Sequence, residues 1–169
     1  MQSTNEEWAR SYARQALSDL DAREALRRAN TEKCHRLHFL QMAAEKTCKA
    51  YLVKLNGHDN VKKSHAVVKK HLHIIARQFY SALGGNPRTA HWGISAINRL
   101  AGEIEVLSPA CDHGGSRSDN CEYPWEDGLG QVCTPCEYSF PNIDDGPRNR
   151  SIARLIRLIR TAAESYSGQ

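Results

Sequence analysis

The stretch Leu37–Leu55, LHFLQMAAEKTCKAYLVKL, limits the fold more than any other part of the chain. Leu37, Leu40, Ala44, Cys48, Tyr51, Leu52 and Leu55 recur at three- and four-residue spacing, which places them on one face of a helix and scatters them on a strand. Gln41, Glu45 and Lys49 stand four apart on the same run as a polar row. On an exposed face, Glu45 and Lys49 make an i,i+4 ion pair worth a few tenths of a kcal/mol. Turned inward, the same groups anchor a buried network that orients neighbouring helices. Neither arrangement requires chemistry.

The remaining periodicity is also helical. A first helix is expected from Glu6 to Arg28 with Trp8, Tyr12, Ala16 and Leu20 in register, and Thr31 is the N-cap candidate for the second, which stops at Asn56-Gly57. A third runs from Val61 to Leu83 and halts at Gly84-Gly85-Asn86-Pro87. A fourth, His91 to Leu107, buries Ile97, Leu100, Ile104 and Leu107; the last, Arg148 to Tyr166, buries Ile152, Leu155, Ile159 and Ala162. The expected fold is all-α, an antiparallel four- to five-helix bundle in which residues 1–169 form a single domain. Apolar runs are too short to span a bilayer and MQSTNEEWAR has no apolar secretory core, so a cytoplasmic protein with no membrane partner is expected.

Residues 108–147 interrupt this pattern as an insertion before the last helix, too long for an ordinary bundle loop. It contains an internal echo, Cys121-Glu122-Tyr123-Pro124-Trp125 and Cys136-Glu137-Tyr138-Ser139-Phe140, separated by the turn formers Asp127-Gly128 and Gly130. The echo suggests a short hairpin whose aromatics form a satellite hydrophobic cluster, in preference to a base-stacking platform. Four of the six cysteines also fall here. Cys133-Thr134-Pro135-Cys136 has the spacing that lets two thiolates chelate one ion, and Cys111, His113 and Cys121 are the candidates to complete a structural zinc site. Cys111-x-His113 is not a standard second pair, and free thiols in a reduced cytosol are the competing account. No other cofactor is expected.

The net charge is +4, with basic residues concentrated between Lys62 and Arg77 and between Arg148 and Arg160. His65, Lys69, His73 and Arg77 are each four apart, a cationic stripe on the expected third helix. Arg150, Arg154, Arg157 and Arg160 form a second set on the last. Both sets suit a phosphate backbone, and both suit the ordinary role of long cationic stems shielding an apolar edge.

Trp8, Ala13, Ala16, Asp19, Leu20 and Ala22, then Leu40–Lys46 and Lys49-Ala50-Tyr51-Leu52, then Lys63-Ser64-His65 and Leu72, together resemble the HEPN domains, the helical "higher eukaryotes and prokaryotes nucleotide-binding" family. That resemblance implies a HEPN-like bundle acting as a homodimer that binds a nucleotide, RNA or a partner protein. It also implies a toxin-antitoxin or defence setting, with a nucleotidyltransferase-type antitoxin as the cognate partner. Ribonuclease members carry Arg and His four to six residues apart on a late helix, where His shuttles a proton and Arg holds phosphoryl oxygens. Arg148-Asn149 resembles the start of that motif, but Ala153, Arg154 and Leu155 stand where His should follow. A non-catalytic binding protein is therefore the leading expectation. A dimeric, metal-independent RNase using Arg88 and His91 as catalytic residues is one alternative, with a helix cap or surface polar pair as the plainer role for those two. An interaction scaffold that uses the aromatic, Cys-rich insertion is the other.

Overall fold

Thr4 starts the first helix. Its hydroxyl accepts from the Glu7 amide while the Glu7 carboxylate accepts from the Thr4 amide, so two of the helix's orphan donors are satisfied reciprocally. The computed structural model describes residues 3–79, 87–111 and 119–168 and, for 87–92, the helical backbone alone. Six helices occur among the described residues: α1 (Asn5–Arg28), α2 (Lys33–Asn56), the single turn α3 (His58–Val61), α4 (Val68–Gln78), α5 (Pro87–Glu105) and α6 (Arg150–Ser167). A two-stranded antiparallel hairpin, β1 (Trp125–Glu126) and β2 (Val132–Cys133), stands between α5 and α6. The expected all-α bundle with a hairpin-containing insertion is what the chain forms. No described helix is long and apolar enough to cross a membrane.

α1 and α2 are antiparallel along their whole length. Glu6 pairs with Lys54 at one end, Asp19 with Lys46 further along, and Trp8 stacks on His58 at 3.7 Å just beyond the end of α2. The seam on α1 is Ala9, Ala13, Ala16 and Leu20, all buried, while Trp8 is 38% exposed and Tyr12 half-buried. The expected stripe of Trp8, Tyr12, Ala16 and Leu20 is thus displaced by one residue at its first two positions. Methyl groups on the seam admit close approach between helices, and the large rings are left at its flank.

α2 is surrounded, with α1, α4, α5 and α6 all packed against it. Leu37, Leu40, Ala44 and Cys48 are fully buried as expected, but so are Ala43, Ala50 and Val53 on other faces, and Leu55 alone of the apolar stripe is largely exposed. Thr31 does not cap α2. Its amide and hydroxyl turn back to donate to the Leu26 carbonyl, and Glu32 occupies the cap position. Gly57 ends the helix at φ +79°, a conformation that L side chains rarely adopt.

The expected third helix is divided. α3 ends at Val61, the chain turns through residues 62–67, and α4 begins at Val68 with no side-chain cap of its own. Glu105, buried at the end of α5, supplies what is missing by accepting from the Lys69 amide at 3.0 Å. A carboxylate at a helix start also complements the helix dipole. On α5 and α6 the expected core residues Ile97, Leu100, Ile104, Leu107, Ile152, Leu155, Ile159 and Ala162 are all buried. Asn149 caps α6 through the amides of Ser151 and Ile152.

One buried carboxylate of the insertion joins it to two helices of the bundle. Asp145 is 1% exposed at its side chain and accepts from Arg23 of α1 and from Nε of Arg36 of α2, the latter at 2.8 Å. Its hairpin turns as expected at Asp127–Gly130, where the Asp127 carboxylate accepts from the amides of Leu129 and Gln131 and Gly130 takes φ +76°. Trp125, Tyr138 and Phe140 form the expected satellite cluster, with rings 5.0 to 6.4 Å apart, and pack on the core. Removing one partner of a buried ion pair leaves the other charge uncompensated, at a cost of about 3–5 kcal/mol. Asp145→Ala should therefore lower unfolding stability by roughly that amount in urea titrations; a loss under about 1 kcal/mol would show that the insertion is held by other contacts.

Candidate nucleic-acid interface

The polar row of α2 lies inside the protein. Gln41, Glu45 and Lys49 are 2%, 8% and 5% exposed, so the surface ion-pair alternative does not apply. One oxygen of Glu45 accepts from Gln41 Nε2 at 3.0 Å. The other lies 2.9 Å from Lys49 Nζ and 3.2 Å from His65 Nδ1. Lys49 also donates to the Lys62 carbonyl at 3.3 Å and lies over the Tyr12 ring. The network thus ties α1, α2 and the 62–67 turn together, with every charge met by a partner.

His65 consequently does not belong to a helical stripe. It precedes α4, on the turn, and its ring nitrogen is held by Glu45. His73 lies on α4 half-buried, with a buried Nδ1 that has no hydrogen-bond partner. Of the four expected stripe residues, Lys69 and Arg77 are the two on α4 with exposed side chains. The expectation of one regular cationic row over residues 65–77 is corrected to a shorter set, Lys69, Lys70 and Arg77, with Lys63 on the preceding turn.

On α6, Arg150 and Arg157 are exposed and Arg154 is half-buried, whereas Arg160 is engaged by Asp21 of α1 at 2.7 Å. α4 and α6 meet at their C-terminal ends, where Phe79 packs edge-on against Tyr166 and the Tyr166 hydroxyl lies 3.5 Å from Gln78. Arg157 is nine residues before Tyr166, about 13 Å along the helix. The ends of α4 and α6 thus meet, while the α6 arginines lie toward its other end.

Charge pairing separates these cations from most of those on α1, Arg14 apart. On α1, Arg10 pairs with Glu6, Arg27 and Arg28 with Glu24, and Arg23 with Asp145. The two arginines beside Glu24 hold its carboxyl down at about 2, chiefly through the Arg27 hydrogen bond. Lys69, Lys70, Arg77, Arg150, Arg154 and Arg157 make no ion pair among the described residues. Arg88 and His91 are the second and fifth residues of α5, and their side chains lie outside the described residues, as does His113.

The cysteines are dispersed differently from the proposed ligand set. Cys111 lies toward Glu105 and Glu45, and burial followed by those carboxylates pushes its thiol up to about 11. Cys121 and Cys133 are buried and half-buried, and Cys136 is exposed. Among the described residues no three His, Cys, Asp or Glu side chains are placed to hold a metal ion together. Arg23, Arg36 and Asp145 went unrecognised from sequence because partners 109 and 122 residues apart leave no local pattern. No protein-family model, curated protein or solved structure matches the chain.

If the α2 row is a structural unit, its members are energetically coupled. Glu45→Gln and Lys49→Met should each cost about 2–4 kcal/mol, and the double variant should cost at least about 1 kcal/mol less than the two losses together. Additive losses in equilibrium unfolding would mean that the two groups act independently.

Proposed function

We propose that this chain is a non-catalytic, HEPN-like helical protein that binds single-stranded RNA through the cations of α4 and α6. The observation that carries this reading is the asymmetry of charge pairing. On α1, Arg10, Arg27 and Arg28 are held by glutamates of the same helix, Arg14 being the exception, while among the described residues the side chains of Lys69, Lys70, Arg77, Arg150, Arg154 and Arg157 make no ion pair. Unpaired cations attract a polyanion without first breaking an ion pair, and each phosphate they meet releases condensed counterions. Lys70 and Arg77, seven residues apart, lie about 10 Å apart along α4, a span over which several phosphates of an extended strand can be followed.

The polar groups of α2 support the binding reading over a catalytic one. Glu45 and Lys49 are a buried acid–base pair, yet their hydrogen-bonding capacity is taken up by Gln41, His65 and the Lys62 carbonyl. A group committed in this way has little left to offer a substrate. The broken motif at Arg148-Asn149, with Ala153, Arg154 and Leu155 following, agrees with it. A homodimer and a cognate nucleotidyltransferase-type partner belong to the same HEPN-like proposal.

Fluorescence anisotropy with a labelled, unstructured RNA tests the proposal. Affinity should fall as salt rises with a log–log slope near −0.7 per phosphate contact, so Lys70→Glu combined with Arg154→Glu should flatten the slope by roughly 1.4 and weaken binding at least about tenfold. Arg10→Glu, on the self-paired helix, should change affinity less than about twofold. Salt-independent binding, or equal effects from all these variants, would contradict this assignment.

A further inference from the structure

One end of the bundle carries a surface cleft that the cationic interface does not use. Its volume is about 690 Å³, inside the range of about 300–1,000 Å³ usual for small-molecule pockets. Asn5 and Trp8 of α1 line one side, and His58, Asp59, Asn60 and Lys62, on α3 and at its end, line the other. The Trp8 and His58 rings are stacked, with centroids 3.7 Å apart and planes 6° from parallel. Trp8 remains 38% exposed, so the stack with His58 leaves room for a further flat group.

The walls are held in place before any ligand arrives. Gly57 turns the chain at φ +79°, the His58 amide donates to Asn5 Oδ1 at 3.2 Å, and the Lys62 amide donates to the His58 carbonyl at 3.0 Å. The bond from His58 orients the Asn5 amide group and leaves its Nδ2 as a donor unengaged among the described residues. Asn60 Nδ2 donates to the Asn56 carbonyl at 2.7 Å, which leaves Asn60 Oδ1 as an acceptor unengaged in the same sense. Lys62 is already paired with Asp59 at 2.7 Å, so a phosphate would have to compete for it. A nucleobase fits this arrangement better. Its π-face stacks on an aromatic side chain, and its edge offers donor and acceptor groups to amide side chains.

The cleft also lies where an RNA strand on α4 would arrive. Glu6 pairs with Lys54 at 3.5 Å, and Lys54 Nζ lies 5.6 Å from the Tyr166 ring centroid, so the start of α1 and the ends of α2 and α6 share one end of the bundle. α4 finishes there too, with Phe79 against Tyr166 and Arg77 two residues earlier. A strand followed along α4 from Lys70 to Arg77 therefore leads toward the cleft.

We propose that this cleft receives one nucleobase of the bound RNA, stacked on Trp8 with its edge met by Asn5 Nδ2 and Asn60 Oδ1. The proposal rests on the reading of α4 and α6 as an RNA interface and deepens it: the cations hold phosphates, and the cleft holds a base. A free mononucleotide presents the same chemistry, so the two sources are tested side by side.

Oligoadenylate and an abasic ribose-phosphate polymer of equal length carry the same phosphates and differ in the bases alone. In anisotropy competition the wild type should bind oligoadenylate at least about fivefold more tightly, the lower end of what one stacked base contributes. Trp8→Ala should bring the two polymers within about twofold without changing the salt slope, and Trp8→Tyr, which keeps a π-face, should retain the preference. Equal wild-type affinities, or a folded Trp8→Ala protein that keeps the preference, would overturn the proposal; steep salt dependence for both polymers would in that case leave the α4 and α6 reading standing. Trp8-dependent binding of AMP with neither polymer bound would refute the RNA interface and assign the cleft to a free nucleotide. Should Trp8→Ala fail to fold, wild-type protein photocrosslinked to oligoadenylate carrying azidoadenosine decides the matter. Label on peptides containing Trp8 or His58 supports the cleft, and label confined to α4 and α6 refutes it.

Discussion

A helix packed on all sides cannot leave a polar row to water, and α2 is such a helix. With α1, α4, α5 and α6 around it, Gln41, Glu45 and Lys49 have to be satisfied inside the protein. The solution fixes much else. Glu45 receives Gln41, Lys49 and His65, which draws the 62–67 turn onto α2 and breaks what would otherwise be one long helix into α3 and α4. Lys49 meets the Lys62 carbonyl in the same turn. α4 then begins without its own cap, and Glu105 provides one from α5.

A second buried carboxylate performs the corresponding task at the other end. Asp145 joins α1 and α2 through Arg23 and Arg36 four residues before Asn149 caps α6. The position of α6, and with it the arginines on its outer face, is thereby referred to the α1–α2 pair. Both networks consume charge inside the molecule. The set on α4 and α6 stands outside with no ion pair among the described residues, and the functional reading rests on it.

The sequence conveyed these layers unequally. α5 and α6 were legible because their apolar residues recur at helical spacing with large side chains, and the burial of Ile97, Leu100, Ile104, Leu155 and Ile159 follows directly. α1 was misread at Trp8 and Tyr12 because hydrophobicity favours rings over the alanines that close packing selects. The stripe from His65 to Arg77 was misjudged because spacing by four describes a helix only where the backbone stays helical, and a buried Glu45 twenty residues away redirected His65. The hairpin was visible in Asp127-Gly128 and Gly130, whereas the Asp145 clamp depends on long-range closure, which local patterns do not encode.

The central claim is that α2's polar row holds the fold while binding resides on outward cations. The RNA affinity of Glu45→Gln protein, measured on molecules shown by circular dichroism to be folded, tests it most directly. The account predicts a less stable protein whose affinity stays within about twofold of wild type, since the row lies inside and meets no phosphate. A Glu45→Gln protein that is folded and as stable as wild type, yet has lost RNA binding tenfold or more, would place the function in α2 and contradict the account.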